Sequence, residues 1–376
     1  MVVGEGRKGL HMKQLVLIGG GHAHLHAIRH FSTEVRKQYE IILISASPYQ
    51  YYSGMFSGYA EGLYEQDGIR FDLRALAEQA GIRWMEGCVT RVDRVGRRVM
   101  TDMGDVLPFD VLSINVGSVS NSLFGHQGLV MKPSYKITEA IHKMRMAENP
   151  IVIGGGAAGV EMALSLAAWR GAHRIGGVMR MVTRSRLLPD GSDGLSRKVK
   201  EWMRREGIQV FENEHIHDLQ RGNLLTDRQA LIVDQMLVAI GSQSPSLLRE
   251  SGFDTDRAGA MLVNDHLQSE TDPGIFGAGD CVTLSRHPSL PKNGVYAIRQ
   301  APVLSKNLQR YMMGKPLTSF EPQETYLSIL SLGKKKGLLR YGDFYWFGHS
   351  SWLMKDWIDR NFMRANSFIS SSSKRK

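Results

Sequence analysis

Two stretches of this chain align without a gap, LVLIGGGHAHLHAIRHF at 15–31 and PIVIGGGAAGVEMALSL at 150–166. Each runs from a β-branched apolar segment through three glycines into an amphipathic helix. A second apolar run follows in both cases, YEIILIS at 39–45 and VMRMVT at 178–183. Strand, glycine turn, helix and second strand make the βαβ dinucleotide-binding fingerprint. Its first glycine makes the tight turn, its second lets backbone approach a pyrophosphate, and its third lets helix close on strand. The helix N-terminus then offers amides and a positive dipole end to the phosphates. Two copies, a domain's length apart, constrain the chain to a pair of α/β nucleotide-binding domains.

The copies differ. The second is complete, with Gly154, Gly156 and Gly159; the first has Gly19 and Gly21 but His24 at the third position. An imidazole there either widens the contact of helix with sheet or turns toward the cofactor. His22, His26 and His30 also share a helical spacing that can hold zinc. No carboxylate or cysteine motif accompanies them, so no metal is expected. Neither copy has the acidic residue that binds a ribose 2′-hydroxyl at the end of the second strand. Ser45, which can also hydrogen-bond a ribose, stands there in the first, and Thr183 followed by Arg184 in the second. The arginine is compatible with a 2′-phosphate.

A length of 376 residues suits two or three domains, and 40 glycines fit a chain of many strand-to-helix turns. The two cysteines, Cys88 and Cys281, lie too far apart for a CxxC pair and exclude a disulfide scaffold. That usage points to a reducing, cytoplasmic compartment. No apolar run approaches the roughly 20 residues that span a bilayer. Residues 1–12 read as a disordered lead without a hydrophobic signal region. The net charge is 47 − 37 = +10, concentrated toward the end, with ten Lys/Arg against three Asp in 334–376. No nucleic-acid motif accompanies this surplus, so a membrane surface is the sharper partner class. No GxSxG elbow or triad pattern supports nucleophilic catalysis.

A further stretch, TDPGIFGAGDCV at 271–282, reads as a strand ending in a glycine turn with an aspartate. It resembles the flavin-binding signature of flavoproteins with two dinucleotide-binding domains. PFDVLSINVGS at 108–118 and DQMLVAIGSQSP at 234–245 look like the segments where such chains pass between domains. With GGGHAH, YYSGMFSGY at 51–59, KNGVYAIRQAPVLSKNL at 292–308 and WLMKDWIDRNFM at 352–363, the chain resembles the pyridine nucleotide:flavin oxidoreductases. Within them it is similar to the type-II NADH dehydrogenase-like group, above all to the NADH dehydrogenase-like domain associated with selenide, water dikinase.

The resemblance implies an α/β fold with two Rossmann-like domains and a small C-terminal α+β region. Residues 13–118 and 245–310 would form a split FAD domain, 119–244 an inserted NAD(P) domain, and 311–376 the C-terminal region. The implied FAD-binding positions are Gly19, Gly21, His22, Ala23, Ser45, Val89, Gly117, Gly279, Asp280 and Tyr296, with Asp280 on the ribityl chain. Gly154, Gly156, Gly159 and Glu161 would meet NADH or NADPH. Glu161 is read either as a nicotinamide contact or as a plain charge near the helix start. Lacking a cysteine pair, the chain would pass electrons from FAD directly to a diffusing, quinone-like acceptor. Lys132 is a candidate for the flavin side or a surface lysine; Tyr52, in the loop after the second strand, shapes an acceptor pocket or edges the core. The alternative is a low-turnover flavoprotein with an accessory or sensing role, for example in selenium metabolism.

The end of the chain is basic and aromatic. Read as a helix over 352–363, it sets Leu353, Met354, Trp357, Ile358 and Phe362 on one broad apolar face. Lys355, Asp356, Asp359 and Arg360 take much of the remainder. Such a helix either lies on an anionic bilayer at the inner face of the cell membrane or packs on the protein or on a second copy in a homodimer.

Overall fold

The computed structural model describes residues 12–120 and 127–367. All of the expected lead at 1–12 except Met12, and the last basic residues at 374–376, lie outside them. No helix among the described residues is long and apolar enough to cross a membrane.

The chain divides into two compact units. One comprises the described parts of 1–48, 73–117 and 245–321, the other 49–72, 118–244 and 322–376. The segment 49–72, expected within the first stretch of the FAD domain, thus groups with the second unit.

In the first unit, β1 (Lys13–Ile18) leads through the glycine turn into α1 (His22–His30) and on to β2 (Tyr39–Ser45). The parallel sheet has the order 275–277, 111–114, β1, β2, 83–86. Leu15, Val16 and Leu17 are wholly buried in consecutive positions. Alternation disappears because a parallel strand is covered on both faces.

The second unit repeats the plan. β3 (Pro150–Ile153) leads into its own glycine turn, and α2 (Ala157–Ala172), β4 (Arg180–Thr183) and β5 (Gln209–Glu212) follow. Its sheet runs 129–130, 235–238, β3, β4, β5, again all parallel. An antiparallel three-stranded sheet, 327–331, 337–341 and 344–348, belongs to the same unit. It ends in α3 (His349–Asn366), longer at both ends than the expected helix over 352–363.

α3 turns most of its apolar face outward, as the bilayer alternative needs and the packing alternative does not. Leu353, Met354, Trp357 and Ile358 are exposed, whereas the side chains of Lys355 and Asp359 keep only 12% and 5% of their surface. An i,i+4 pattern defines a face without saying which face turns inward. Here Trp352 and Met363 supply the apolar contact, and the buried ion pair sits between them along the helix.

Candidate nucleotide sites

The turn after β1 is built around a residue far along the chain. Gly19 has φ +88°, and a Cβ there would lie 2.6 Å from the Asn115 carbonyl oxygen. Gly21 donates its N–H to that same oxygen at 3.2 Å. The Asn115 side chain accepts from the Ala23 N–H at 3.0 Å and donates to the Ala278 carbonyl at 2.6 Å. One buried amide therefore joins the start of α1 to the turn holding Gly279 and Asp280. Asn115 carries no motif of its own; its only signal in the sequence is a polar side chain at the end of an apolar strand.

His24 resolves the anomaly at the third position. It is fully buried, and its Nδ1–H donates to the Gly19 carbonyl at 2.6 Å. The carbonyl can only accept, so Nε2 is bare and accepts the Ser113 hydroxyl at 2.8 Å. This is the neutral imidazole, in keeping with a pKa that burial lowers to about 4. The ring therefore faces the sheet. His22 is lowered to about 4 by burial too, while the Asp280 charge pulls the other way, which brings Asp280 and the helix start together.

A pocket in this unit is lined by Gly279, Asp280, Lys292, Tyr296 and Gln300 among others. Gln300 accepts the Gly279 N–H at 2.7 Å, and Asn293 caps the helix 294–312 by accepting from Val295 and Tyr296 N–H groups. Lys292 donates to Thr283 Oγ1 at 2.6 Å. A carboxylate acceptor, an ammonium and a helix N-terminus make a donor set that fits FAD. Ser45 donates to the Ser47 carbonyl at 3.0 Å, Val89 begins the strand 89–93, and Gly117 has φ +68° just past the strand 111–114.

The second turn is tighter. A Cβ on Gly159 would sit 2.0 Å from the Gly154 carbonyl oxygen, while one on Gly156 meets nothing within 4 Å. The helix rests on the strand, and open space remains over the turn for a phosphate. Lys132 is half-buried, with Nζ donating to Ser118 Oγ at 2.6 Å.

Glu161, on α2, is embedded among C-terminal residues of the same unit. Its Oε1 accepts the Ser331 N–H at 2.7 Å and the Ser57 hydroxyl at 3.4 Å. Lys355 donates to Asp359 Oδ2 at 2.8 Å and to the Gly54 carbonyl. Tyr52 donates to Asp359 Oδ1 at 3.0 Å and stacks on Phe362 at 4.4 Å. Burial raises the pKa of Glu161, with the Lys355 charge opposing, and raises that of Asp359 likewise. Burial also works against the charge on Lys355, but Asp359 and Glu161 more than offset it and its pKa rises. One buried ammonium thus serves two buried carboxyls. Neither Lys355 nor Asp359 was singled out as a site residue, because both looked like the wet side of a helix.

Both cysteines are free, Cys281 buried and Cys88 exposed. The Cys281 thiol is pushed up to about 11 by burial.

A family model described as pyridine nucleotide-disulphide oxidoreductase matches residues 13–301. The NADH dehydrogenase-like protein YutJ of Bacillus subtilis is 23% identical over 335 residues, covering 87% of this chain and 92% of that protein. A type II NADH:quinone oxidoreductase of Haemophilus influenzae is 24% identical, covering 82% of this chain and 83% of that one. Among solved structures, Plasmodium falciparum NDH2 in complex with NADH superposes with a TM-score of 0.77 at 14% identity. That match covers 97% of this chain and 99% of the other.

Proposed function

The chain belongs to the pyridine nucleotide-disulphide oxidoreductase family and is an FAD-dependent NAD(P)H oxidoreductase, and from that premise we propose that its electrons leave for a quinone-like acceptor with no disulfide relay. The observation that carries this reading is that the only two cysteines are both free, one buried and one exposed. A relay needs two thiols that can meet. Within the family we place the chain with the NADH dehydrogenase-like domain associated with selenide, water dikinase, on its GGGHAH and YYSGMFSGY stretches.

FAD, when bound, accepts a hydride and passes electrons on singly or in pairs. We assign its binding to Gly19, Gly21, His22, Ala23, Ser45, Val89, Gly117, Gly279, Asp280 and Tyr296, and the nicotinamide nucleotide to Gly154, Gly156 and Gly159. Asp280 would accept hydrogen bonds from the ribityl hydroxyls, and the helix start at Tyr296 would favour negative charge on the bound ring.

Reducing a quinone consumes two electrons and two protons. Glu161 is a buried carboxyl whose pKa burial raises against the opposing Lys355 charge, which suits a group that takes part in proton transfer. We give it that role, with Lys355, Asp359 and Tyr52 positioning it. We assign the exposed apolar residues of α3, Leu353 and Trp357, to peripheral contact with a bilayer that carries the acceptor.

Anaerobic mixing with NADH or NADPH should bleach the flavin band, and a short-chain quinone should restore it. Glu161→Gln should leave the bleaching intact and slow the quinone-dependent step at least about tenfold. If the reduced flavin reoxidises no faster with quinone than without, the acceptor assignment fails. Sedimentation with anionic liposomes tests the membrane assignment, which fails if Leu353→Ser/Trp357→Ser pellets as the unmodified protein does.

A further inference from the structure

We propose that this chain selects a nicotinamide nucleotide bearing a 2′-phosphate, NADPH over NADH, and that Arg184 is the determinant. The inference rests on the reading above that the second glycine turn holds the nicotinamide nucleotide.

The adenine ribose of a nucleotide on such a turn lies at the carboxyl end of the second strand, where a free carboxylate would bind the 2′,3′-diol. Here that strand is β4, and its last residue cannot serve. Thr183 is buried and packs on the turn itself, its Oγ1 only 2.8 Å from where a Cβ on Gly155 would stand.

The neighbouring carboxylates are already engaged. Glu212 pairs with Thr183 in the register of β4 and β5. Its Oε1 accepts the Leu187 N–H at 2.8 Å, its Oε2 takes the Lys200 ammonium, and its side chain keeps only 11% of its surface. Glu214 donates its backbone N–H to the Thr183 carbonyl at 3.2 Å. Its own side chain is buried and takes the Gln229 amide at 2.9 Å. Its Oε2 has no partner but is shielded from solvent, so neither carboxylate offers an open pair of oxygens to a ribose diol.

Cations stand in their place. Arg184, the first residue past β4, is exposed and makes no hydrogen bond or ion pair with any described residue. Ser185 beside it is exposed as well. Arg186 spends Nη2 on the Pro189 and Gly191 carbonyls, at 2.9 and 2.7 Å, and sets Nε 3.5 Å from Asp193. Its Nη1 is shielded from solvent and has no partner. The loop is held in place, because Leu188 donates its N–H to the Gly155 carbonyl at 2.8 Å. A short basic loop is thus tied to the phosphate-binding turn, with one guanidinium unengaged and a second carrying an unused N–H. A dianionic 2′-phosphate gives the exposed Arg184 guanidinium a partner, and a bare ribose does not.

The test is calorimetric titration of the FAD-loaded full chain with 2′,5′-ADP and with 5′-AMP, beside anaerobic flavin reduction by NADPH and NADH. The expected result is 2′,5′-ADP binding about tenfold tighter or more. Arg184→Ala should abolish that gap while leaving 5′-AMP affinity unchanged, and Thr183→Glu/Arg184→Ala should invert it. Arg184→Lys should keep a reduced gap, which loss of loop structure would not. If 5′-AMP binds as tightly and NADH reduces the flavin as fast, the 2′-phosphate assignment is overturned while the dehydrogenase reading stands. If 2′,5′-ADP binds preferentially yet neither nucleotide reduces the flavin, the selectivity stands and the dehydrogenase reading falls. If neither mononucleotide binds, the assignment is overturned together with the nucleotide role of this turn.

Discussion

The two glycine turns start alike and part company three residues after their second glycine. At Gly159 a Cβ would stand 2.0 Å from the Gly154 carbonyl oxygen, so helix and strand meet with no side chain between them. At the matching place in the first turn, His24 hydrogen-bonds to the matching carbonyl, that of Gly19, at 2.6 Å. One turn closes by direct contact; the other closes through an imidazole bolt that also reaches Ser113. The lesson is that the third glycine is one solution to a packing problem. A residue that fills the gap and satisfies the carbonyl is another, provided the strand beside it supplies a hydroxyl.

The largest effect should come from forcing the first solution on the second turn. Gly159→His has a backbone oxygen in its way, which cannot swing aside, and should destabilise by at least about 3 kcal/mol, read as lost soluble yield or a lowered Tm. A well-folded Gly159→His protein would sink the comparison.

The reciprocal change, His24→Gly, removes a buried ring and leaves the Ser113 hydroxyl and Gly19 carbonyl without partners. It should cost about 2–4 kcal/mol in thermal or urea unfolding. Loss of less than a tenth of that would mean that the bolt carries no load.

The pH dependence sharpens the same contrast. The folded-state pKa of His24 lies near 4, below the ordinary 6.5, so folding favours the neutral ring. Its contribution is present in full above pH 6.5 and is lost as pH falls toward 4, a change of about 3 kcal/mol. His24→Gln, which does not titrate there, should flatten the fall of Tm with pH. An unchanged slope would assign it to other groups, His22 first.

The smallest effect is expected of the thiols. Cys88→Ser and Cys281→Ala together should leave the rate of flavin reduction by nucleotide unchanged. A loss of turnover that thiol reagents reproduce in the native protein would reinstate a dithiol step.

Much of this molecule was legible in the chain. The glycine turns, their strands and helices and the IFGAGDCV turn all announce themselves, because period, turn chemistry and helix start are properties of neighbouring residues. What surrounds them was not. Asn115 was legible only as a polar residue ending a strand; the fold makes it the tie between α1 and the Asp280 turn, across 163 residues to Ala278. Lys355 and Asp359 carry the pattern of a solvated helix face and lie buried beside Glu161.

The sequence by itself determined a pair of α/β nucleotide-binding folds, since glycine turns, strands and helix starts follow from residue types at short range. Only the tertiary structure decided that His24 turns to the sheet, that α3 buries Lys355 and Asp359, and that Glu212 is engaged beside an unengaged Arg184. Each of these depends on which partner a side chain finds across a long stretch of chain. Burial, which sets the worth of every such contact, is a property of the folded whole.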